Sequence, residues 1–231
     1  MGQMGCYNVE NIVYLGVEKE RGDTESTMRI MQTDQKWIVV RIDGKIAAIS
    51  TDYKALAKIS GHLASTGTSP KAANSRATTY SEVSAITVGT EEIMRIRKET
   101  TWDELMLFGT DFQKRVWKKL WGLTHPQAEE AAPPQLFSYS DFAELCDNKA
   151  GVRAVAHAIG LNPIPIVIPC HLVVPKESID RIREIQRKAE ATIFKGEDLC
   201  LSSILADTTI DFGEYSLGKS LKRDLISLDL A

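Results

Sequence analysis

The sequence predicts a mixed α/β (α+β) fold in two parts, a small α/β domain over residues 1–97 and a mostly helical domain over residues 98–231. Two observations lead to this division. The stretch "WIVVRIDGKIAAIS" holds two β-rich apolar runs around a turn, whereas helical spacing with capping residues dominates after "RKETTWDELMLFGT". The hydrophobic share of 43% and the charged share of 26% are ordinary for a soluble globular protein, so the chain can bury its own core.

The first domain has a clear strand pattern but no recognisable chemistry. Asp43-Gly44 joins the two apolar runs and is a strong signal for a two-residue hairpin turn. A helix is predicted in "DYKALAKISGHLAS", where Leu56, Ile59 and Leu63 recur at helical spacing. After a polar loop, "SEVSAITVGTEEIMRI" predicts a further short strand and a helix.

The second domain is predicted to be a succession of capped helices. "TDFQKRVWKKLWGL" begins at Thr110 or Asp111 as N-cap, and "SYSDFAELCDN" begins at Ser138 or Ser140. "AGVRAVAHAIGLNP" forms the next helix and ends near Gly160. These last two helices, separated by "CDNKAG", have the size of a helix-turn-helix. Two later helices are predicted in "KESIDRIREIQRKAEATIFKGEDL" and in "EYSLGKSLKRDLISLDLA".

Composition and charge exclude few classes of function. The net charge of −3 gives no support for nucleic-acid binding, but such binding needs a local basic face rather than a basic average. The start "MGQMGCYNVE" lacks the basic region and apolar core of a signal peptide, and no apolar run reaches the roughly 20 residues of a bilayer span. The four cysteines show no paired spacing, so we expect thiols in a reducing intracellular compartment.

The stretch "NPIPIVIPCHLVVP", residues 162–175, places Cys170 beside His171 at the end of an apolar, strand-like run. A free thiol has a pKa near 8.5, and lowering that pKa to about 5 multiplies the thiolate fraction by roughly 30. Because nucleophilicity falls with the pKa, a reactive cysteine must also hold its electrophile in place. An isolated Cys-His pair is more often an inert core thiol, but Pro169 fixes the backbone and the upstream helices favour a functional site.

"IPCHLVV" resembles the Pro-Cys-His-Arg-Val signature of the O6-alkylguanine-DNA alkyltransferases, the methylated-DNA–protein-cysteine methyltransferases. Four further stretches resemble this family in the same order: "GTDFQKRVWKKL", "SYSDFAEL", "VRAVAHAIGLNPIPIVIPCH" and "YSLGKSLKRDLISLD". The resemblance covers about residues 108–175 and 214–229. It implies a ribonuclease-H-like α/β first domain, a winged helix-turn-helix second domain, and a DNA repair activity that needs no cofactor.

The implied reaction is that of a methylated-DNA–[protein]-cysteine S-methyltransferase, which flips out O6-alkylguanine and transfers the alkyl group irreversibly to its own cysteine. Such a suicide enzyme acts once. By resemblance, Cys170 accepts the alkyl group, His171 acts through a water as its base, and Asp229 orients His171. Asn162 braces the loop, while Tyr139 helps to rotate the nucleotide and protonates guanine N3.

The resemblance also implies a guanine pocket and a DNA-binding face. The pocket is lined by the backbone at Val173 and by Tyr215 and Ser216. Arg153 fills the gap in the DNA base stack after the guanine has flipped out. It lies on a helix whose small residues suit the minor groove. The residues implied to contact DNA are Arg153, Gly151, Ala154, Lys149 and Tyr139. We expect double-stranded DNA containing O6-alkylguanine as partner, no membrane association, a monomer, and location in the nucleus, with the cytoplasm as a second location.

The sequence departs from the family pattern at several positions. Leu172 replaces the arginine that follows Cys-His, so any buried ion pair made by that charge is absent or replaced. Asp229 is one methylene shorter than the usual glutamate, which predicts a backbone shift or a weaker hydrogen bond to His171. Leu217 stands where the family has the first of two glycines. His157 is a bulky residue on a helix that usually carries small residues at that position. Residues 175–213 form a longer connection, predicted as an inserted helix and loop; a basic amphipathic helix of this kind most often packs on its own domain.

These departures keep other functions open. A non-catalytic alkyltransferase-like protein that flags lesions is the main alternative, although such relatives lack the cysteine. A winged-helix regulator and a cysteine hydrolase are weaker alternatives, the latter because no oxyanion-hole signature is present. The first domain offers only Cys6 and His62 as soft ligands, too few for a tetrahedral zinc site, so we expect no structural metal.

Overall fold

The computed structural model describes residues 35–52, 82–125, 135–192 and 207–230, together with the backbone of residues 8–9 and 12–13. The helix predicted in "DYKALAKISGHLAS" lies outside the described residues, as do Cys6 and His62. Within those ranges, every helix is too short or too polar to cross a bilayer. The fold they build is mixed α/β, with a small antiparallel sheet against a set of helices.

Three strands form the antiparallel sheet, in the order β4–β3–β5. The strands of the first part are β1 Asn8–Val9, β2 Ile12–Val13, β3 Trp37–Ile42, β4 Lys45–Ser50 and β5 Val83–Val88. Among the described strands, β1 and β2 pair with each other, and β3 is the central strand of the larger sheet. The strand predicted in "SEVSAITVGTEEIMRI" is therefore confirmed as β5.

The hairpin predicted at Asp43-Gly44 is confirmed. Asp43 and Gly44 have φ angles of 47° and 79°, both left-handed, as the type I′ turn between twisted strands requires. The Asp43 carboxylate also accepts a hydrogen bond of 2.9 Å from the backbone N–H of Glu82, which ties the turn to the start of β5. The turn thus fixes the register of all three strands.

The strands β3 and β4 are buried on both faces. The sheet residues that enter the main core are Trp37, Val39, Ile46 and Ile49. The residues of the opposite face form a second cluster: Ile38, Val40, Ile42, Ala47 and Ala48. At the outer edge of β4, the N–H of Ile49 donates to Pro163 O at 3.0 Å. The sheet therefore supports the segment that leads to Cys170.

The helical half follows the predicted caps. The helices are α1 Thr90–Glu99, α2 Asp111–Trp121, α3 Tyr139–Leu145, α4 Val152–Gly160, α5 Lys176–Thr192 and α6 Lys219–Leu230. Thr110 caps α2 in a reciprocal capping box with Gln113, and Ser138 caps α3. The predicted division of the chain between residues 97 and 98 falls inside α1.

Two short strands join the region before α3 to the segment that follows Cys170. They are β6 Phe137–Ser138 and β7 Val173–Val174, and they pair in parallel. Since β6 leads directly into α3 and β7 follows the 3-10 turn Cys170–Leu172, this pairing brings the start of α3 beside the cysteine.

The expectation of a strand-like run over residues 164–168 is wrong. These residues form a compact turn in which Ile166 has a φ of 77°, a conformation that costs a β-branched residue roughly 1–3 kcal/mol. The side chain of Asn162 closes the turn: its Oδ1 accepts from Ile164 N at 3.0 Å, and its Nδ2 donates to Ile168 O at 2.9 Å. These bonds to buried backbone groups outweigh the local preference for an extended chain.

In the predicted insertion 175–213, the described parts 175–192 and 207–213 pack against β7 and α6. A separate apolar cluster holds them, made of Val174, Ile179, Ile182, Ile210, Phe212, Ile226 and Leu230. Arg223 of α6 donates to Asp207 O at 3.0 Å and lies over the Phe212 ring at 4.8 Å. These described residues therefore support α6, the helix that carries Asp229.

Candidate active site

Cys170 lies in a buried 3-10 turn and is 6% exposed. Asn162 Nδ2 donates to its sulfur at 3.1 Å while also holding the preceding turn. The backbone N–H of Cys170 is satisfied as well, since it donates to Ile168 O at 2.8 Å. The predicted bracing role of Asn162 thus has a geometric basis, because one amide fixes both the turn and the sulfur.

His171 and Asp229 form a buried hydrogen-bonded pair. Nε2 of His171, which is fully buried, lies 2.7 Å from Oδ2 of Asp229. The distance is short, so the shorter aspartate does not weaken this bond through lack of reach. An ionised carboxylate can only accept, so Nε2 carries the proton and Nδ1 has a free lone pair. Nδ1 is buried and has no hydrogen-bond partner among the described residues.

Burial dominates the protonation of the thiol and the imidazole. It raises the pKa of Cys170 above the ordinary value, although the bond from Asn162 and the charge of Lys222 oppose the shift. Burial lowers the pKa of His171, with Asp229 opposing. The resting pair at neutral pH is therefore a thiol next to a neutral imidazole. The sequence suggested a thiolate with a lowered pKa, but the resting Cys170 is a protonated thiol. The thiol must therefore lose its proton when the substrate is in place.

Asp229 also pairs with Arg97, which sequence reasoning missed. One guanidinium nitrogen of Arg97 lies 2.6 Å from Oδ1 and 2.7 Å from Oδ2 of the carboxylate. Burial alone would raise the pKa of Asp229, but the hydrogen bond from His171 and the charge of Arg97 hold that pKa below its usual value. The carboxylate is thus ionised and shared between an imidazole and a guanidinium.

Lys222 is a second residue that sequence reasoning missed. It is 1% exposed and donates from Nζ to Val173 O at 3.0 Å. Burial lowers the pKa of this amine to about 8, while the neighbouring Cys170 works in the opposite direction. A signal was present in the sequence. Positions 222, 225, 226 and 229 share one face of α6, so Lys222 lies on the same face as the predicted site residue Asp229.

Two tyrosines border the sulfur. Tyr139, the first residue of α3, is half-buried, and both burial and Cys170 raise its pKa. The hydroxyl of Tyr215 is buried, and burial followed by Cys170 raises its pKa well above the ordinary value. The Tyr215 ring meets His171 edge-on, with centroids 6.2 Å apart. Ser216 follows Tyr215 in the chain and lies in an exposed turn.

Four of the five residues predicted to contact DNA lie on α4 or just before it, whereas Tyr139 begins α3. Arg153 and Ala154 are exposed, whereas Val155 faces the core. Lys149 pairs with Glu144 at 3.1 Å, a contact between two largely exposed side chains. Gly151 has a local packing role, because a Cβ there would overlap the Asn148 side chain. Among the described side chains, no three His, Cys, Asp or Glu converge as ligands for a metal.

A thiol, an imidazole with one free ring nitrogen and a carboxylate that orients the imidazole are the groups that a nucleophilic cysteine site requires. Residues 111–192 of the chain match the family model described as 6-O-methylguanine DNA methyltransferase, DNA binding domain. The match confirms the family resemblance drawn from the sequence motifs.

Curated relatives carry the same family name. The chain is 45% identical over 75 residues to a probable methylated-DNA–protein-cysteine methyltransferase of Acanthamoeba polyphaga mimivirus, which covers 32% of this chain and 45% of the relative. It is 46% identical over 71 residues to the Mycobacterium tuberculosis methylated-DNA–protein-cysteine methyltransferase, covering 31% and 38%. The chain thus spans less than half the length of the curated relatives it matches.

Among solved structures, the chain is similar to the Mycobacterium tuberculosis OGT in complex with DNA, with 26% identity and a TM-score of 0.37, covering 61% of this chain and 65% of that one. It is also similar to the O6-methylguanine-DNA methyltransferase of Pyrococcus kodakaraensis, with 25% identity and a TM-score of 0.37, covering 61% and 79%. This global likeness is too weak to define the fold.

Proposed function

We propose that this protein repairs DNA by transferring an alkyl group from O6 of guanine to Cys170, irreversibly and once per molecule. The observation that carries the proposal is the array of Asn162, Cys170, His171 and Asp229 within and beside a segment that matches the alkyltransferase family. The family's named activity fits this array, since a thiol held beside a base and a shaped pocket is what alkyl transfer requires.

The residues supply the proton path. The Cys170 thiol loses its proton through a water to the free Nδ1 of His171, whose Nε2–H remains bonded to Asp229. The sulfur attacks the alkyl carbon, the C–O6 bond breaks, and guanine leaves with the electron pair. Tyr139 donates its phenolic proton to guanine N3 and regains one from His171. The sum is one S–C bond formed, one C–O bond broken and one proton moved from sulfur to guanine.

The substrate reaches this sulfur by base flipping, because a buried thiol cannot reach a stacked guanine. Arg153 occupies the stack that the base leaves, and α4 enters the minor groove beside Gly151 and Ala154. Lys149 and the basic exposed side of α2 contact phosphates without sequence preference. The flipped guanine lies against the Val173 backbone, Tyr215 and Ser216. This role fits the exposure of Arg153 and Ala154, which leaves that side of α4 available.

The larger organisation belongs to the same proposal. A ribonuclease-H-like α/β domain over residues 1–97 supports a winged helix-turn-helix domain over residues 98–231. The protein acts as a monomer on double-stranded DNA containing O6-alkylguanine, in the nucleus and also in the cytoplasm, without a cofactor or metal. Because Cys170 is present in a formed site, a non-catalytic lesion binder is not favoured.

The test is the intact mass of the protein after incubation with a duplex containing O6-methylguanine. We expect a gain of about 14 Da, one methylene, in the wild-type protein. Cys170→Ala should show no gain, whereas Cys146→Ala, which removes a half-buried thiol in the same domain, should show the full gain. A protein that binds the lesion tightly without a gain in mass would contradict alkyl transfer and favour the lesion-flagging role.

A further inference from the structure

We propose that Arg97 is a positioning residue of this site, whose charge keeps Asp229 ionised and His171 available as a base. This inference deepens the proposed function and rests on it for its kinetic readout. Arg97 comes from α1, 132 residues before Asp229 in the chain. It belongs to the part of the protein that precedes the segment matched to the DNA-binding domain.

The geometry is that of a buried pair rather than a surface contact. The side chains of Arg97 and Asp229 are 12% and 6% exposed, and their closest atoms are 2.6 Å apart. Asp229 Oδ2 accepts from both Arg97 and His171, at 2.7 Å each. The carboxylate is thus held by two donors, Arg97 and His171, and it orients the imidazole in turn.

Arg97 is itself held in place. Its backbone oxygen lies 3.0 Å from Nε2 of His125, and the His125 ring stacks on Trp121 at 4.5 Å between centroids. Trp121 is the last residue of α2. The contact between Arg97 and His125 therefore connects the end of α1 to the end of α2. Together with the Ile49 to Pro163 bond, this contact means that the first part of the chain supports the chemistry from two sides.

The charges near His171 show what Arg97 does. Asp229 attracts a proton to His171, while Arg97 and Lys222 repel it. Two further titratable residues adjoin the imidazole: Cys170 precedes His171 in the chain, and the Tyr215 ring meets it edge-on. Without Arg97, the coupled His171–Asp229 pair would bind a proton more readily. A protonated pair cannot accept the thiol proton, so the base would be lost at a higher pH than in the wild-type protein.

The experiment compares Arg97→Met, Arg97→Lys and the control Arg95→Met. Arg95 lies on the same helix, is 62% exposed in its side chain, and forms an ion pair with Glu92 at 2.7 Å. Since the chain has four histidines, the ¹⁵N ring signals of His171 can be assigned and followed against pH. The second readout is the pH dependence of methyl transfer to Cys170, and thermal unfolding is recorded for each variant.

We expect Arg97→Met to protonate the His171–Asp229 pair at a higher pH than the wild-type protein, and to slow transfer by about tenfold at neutral pH. Arg97→Lys keeps a charge and should remain closer to the wild-type titration, which also provides a folded variant if the Met variant is too unstable to study. Arg95→Met should match the wild type. A His171 titration that does not move in Arg97→Met, or that moves as far in Arg97→Lys, would overturn the inference.

The two proposals fail separately. If the wild-type protein takes no methyl group from DNA, the proposed function is wrong, while the NMR titration still decides the role of Arg97. If transfer occurs and Arg97→Met only lowers the unfolding temperature, with an unchanged pH profile, Arg97 is structural and the inference is wrong.

Discussion

Replacing Lys222 by methionine should reveal a trade-off between stability and reactivity. Lys222 is buried against Val173 O, and its charge opposes the rise in the pKa of the Cys170 thiol. Methionine keeps most of the apolar stem and removes the charge. The variant should therefore lose part of the support for the thiolate and transfer the alkyl group more slowly.

The cost of the buried charge follows from its pKa. The ordinary pKa of 10.5 falls to about 8 in the folded protein. At about 1.4 kcal/mol for each unit, the folded state carries a penalty of roughly 3 kcal/mol. A cation with a lowered folded pKa binds fewer protons when folded than when unfolded. The penalty is thus fully present below pH 8 and disappears as the pH rises towards 10.5.

Urea unfolding at pH 7 and pH 10 measures this penalty. Relative to Lys222→Met, the wild-type protein should gain about 2 to 3 kcal/mol of unfolding free energy between the two values of pH. Lys219→Met is the control, since Lys219 lies on the same helix, is about half exposed, and pairs with Glu214 at 2.8 Å. A difference between wild type and Lys222→Met that stays constant with pH would refute the reasoning.

Three further substitutions test other contacts. Asn162→Ala removes the bonds to Ile164 N, Ile168 O and the Cys170 sulfur, so calorimetry should show a loss of roughly 2–4 kcal/mol; a loss well under 1 kcal/mol would mean that the turn holds itself. Arg153→Ala should weaken duplex binding in a titration while leaving the unfolding temperature unchanged, because the side chain is exposed; unchanged binding would remove Arg153 from the interface. Thr110→Ala breaks the capping box of α2 and should cost about 1 kcal/mol in urea, with Thr110→Ser near wild type, and equal losses in both would argue against the cap.

The elements that the sequence predicted well are those specified by nearby residues. The turn at Asp43-Gly44 and the caps at Thr110 and Ser138 each depend on residues within three positions, so local signals were sufficient. The positions of Cys170 and His171 came from a short motif, and the structure places both beside the predicted Asn162 and Asp229.

The features that the sequence did not predict depend on distant contacts. No local pattern relates Arg97 to Asp229, because the pair exists only once α1 and α6 are packed together. The apolar run before Cys170 has the composition of a strand, but one buried amide, Asn162, closes it into a turn with Ile166 in a strained conformation. The protonation of Cys170 depends on burial, which composition alone cannot give.

The raised pKa of Cys170 also affects how well its sulfur is protected before any substrate arrives. Peroxides, disulfides and small electrophiles react with thiolates far more readily than with thiols, and access limits them further. A protonated sulfur that is 6% exposed is protected on both counts. If the protein acts once per molecule, as proposed, it must not lose its sulfur to oxidation beforehand, and the burial that keeps the thiol protonated preserves the capacity for transfer.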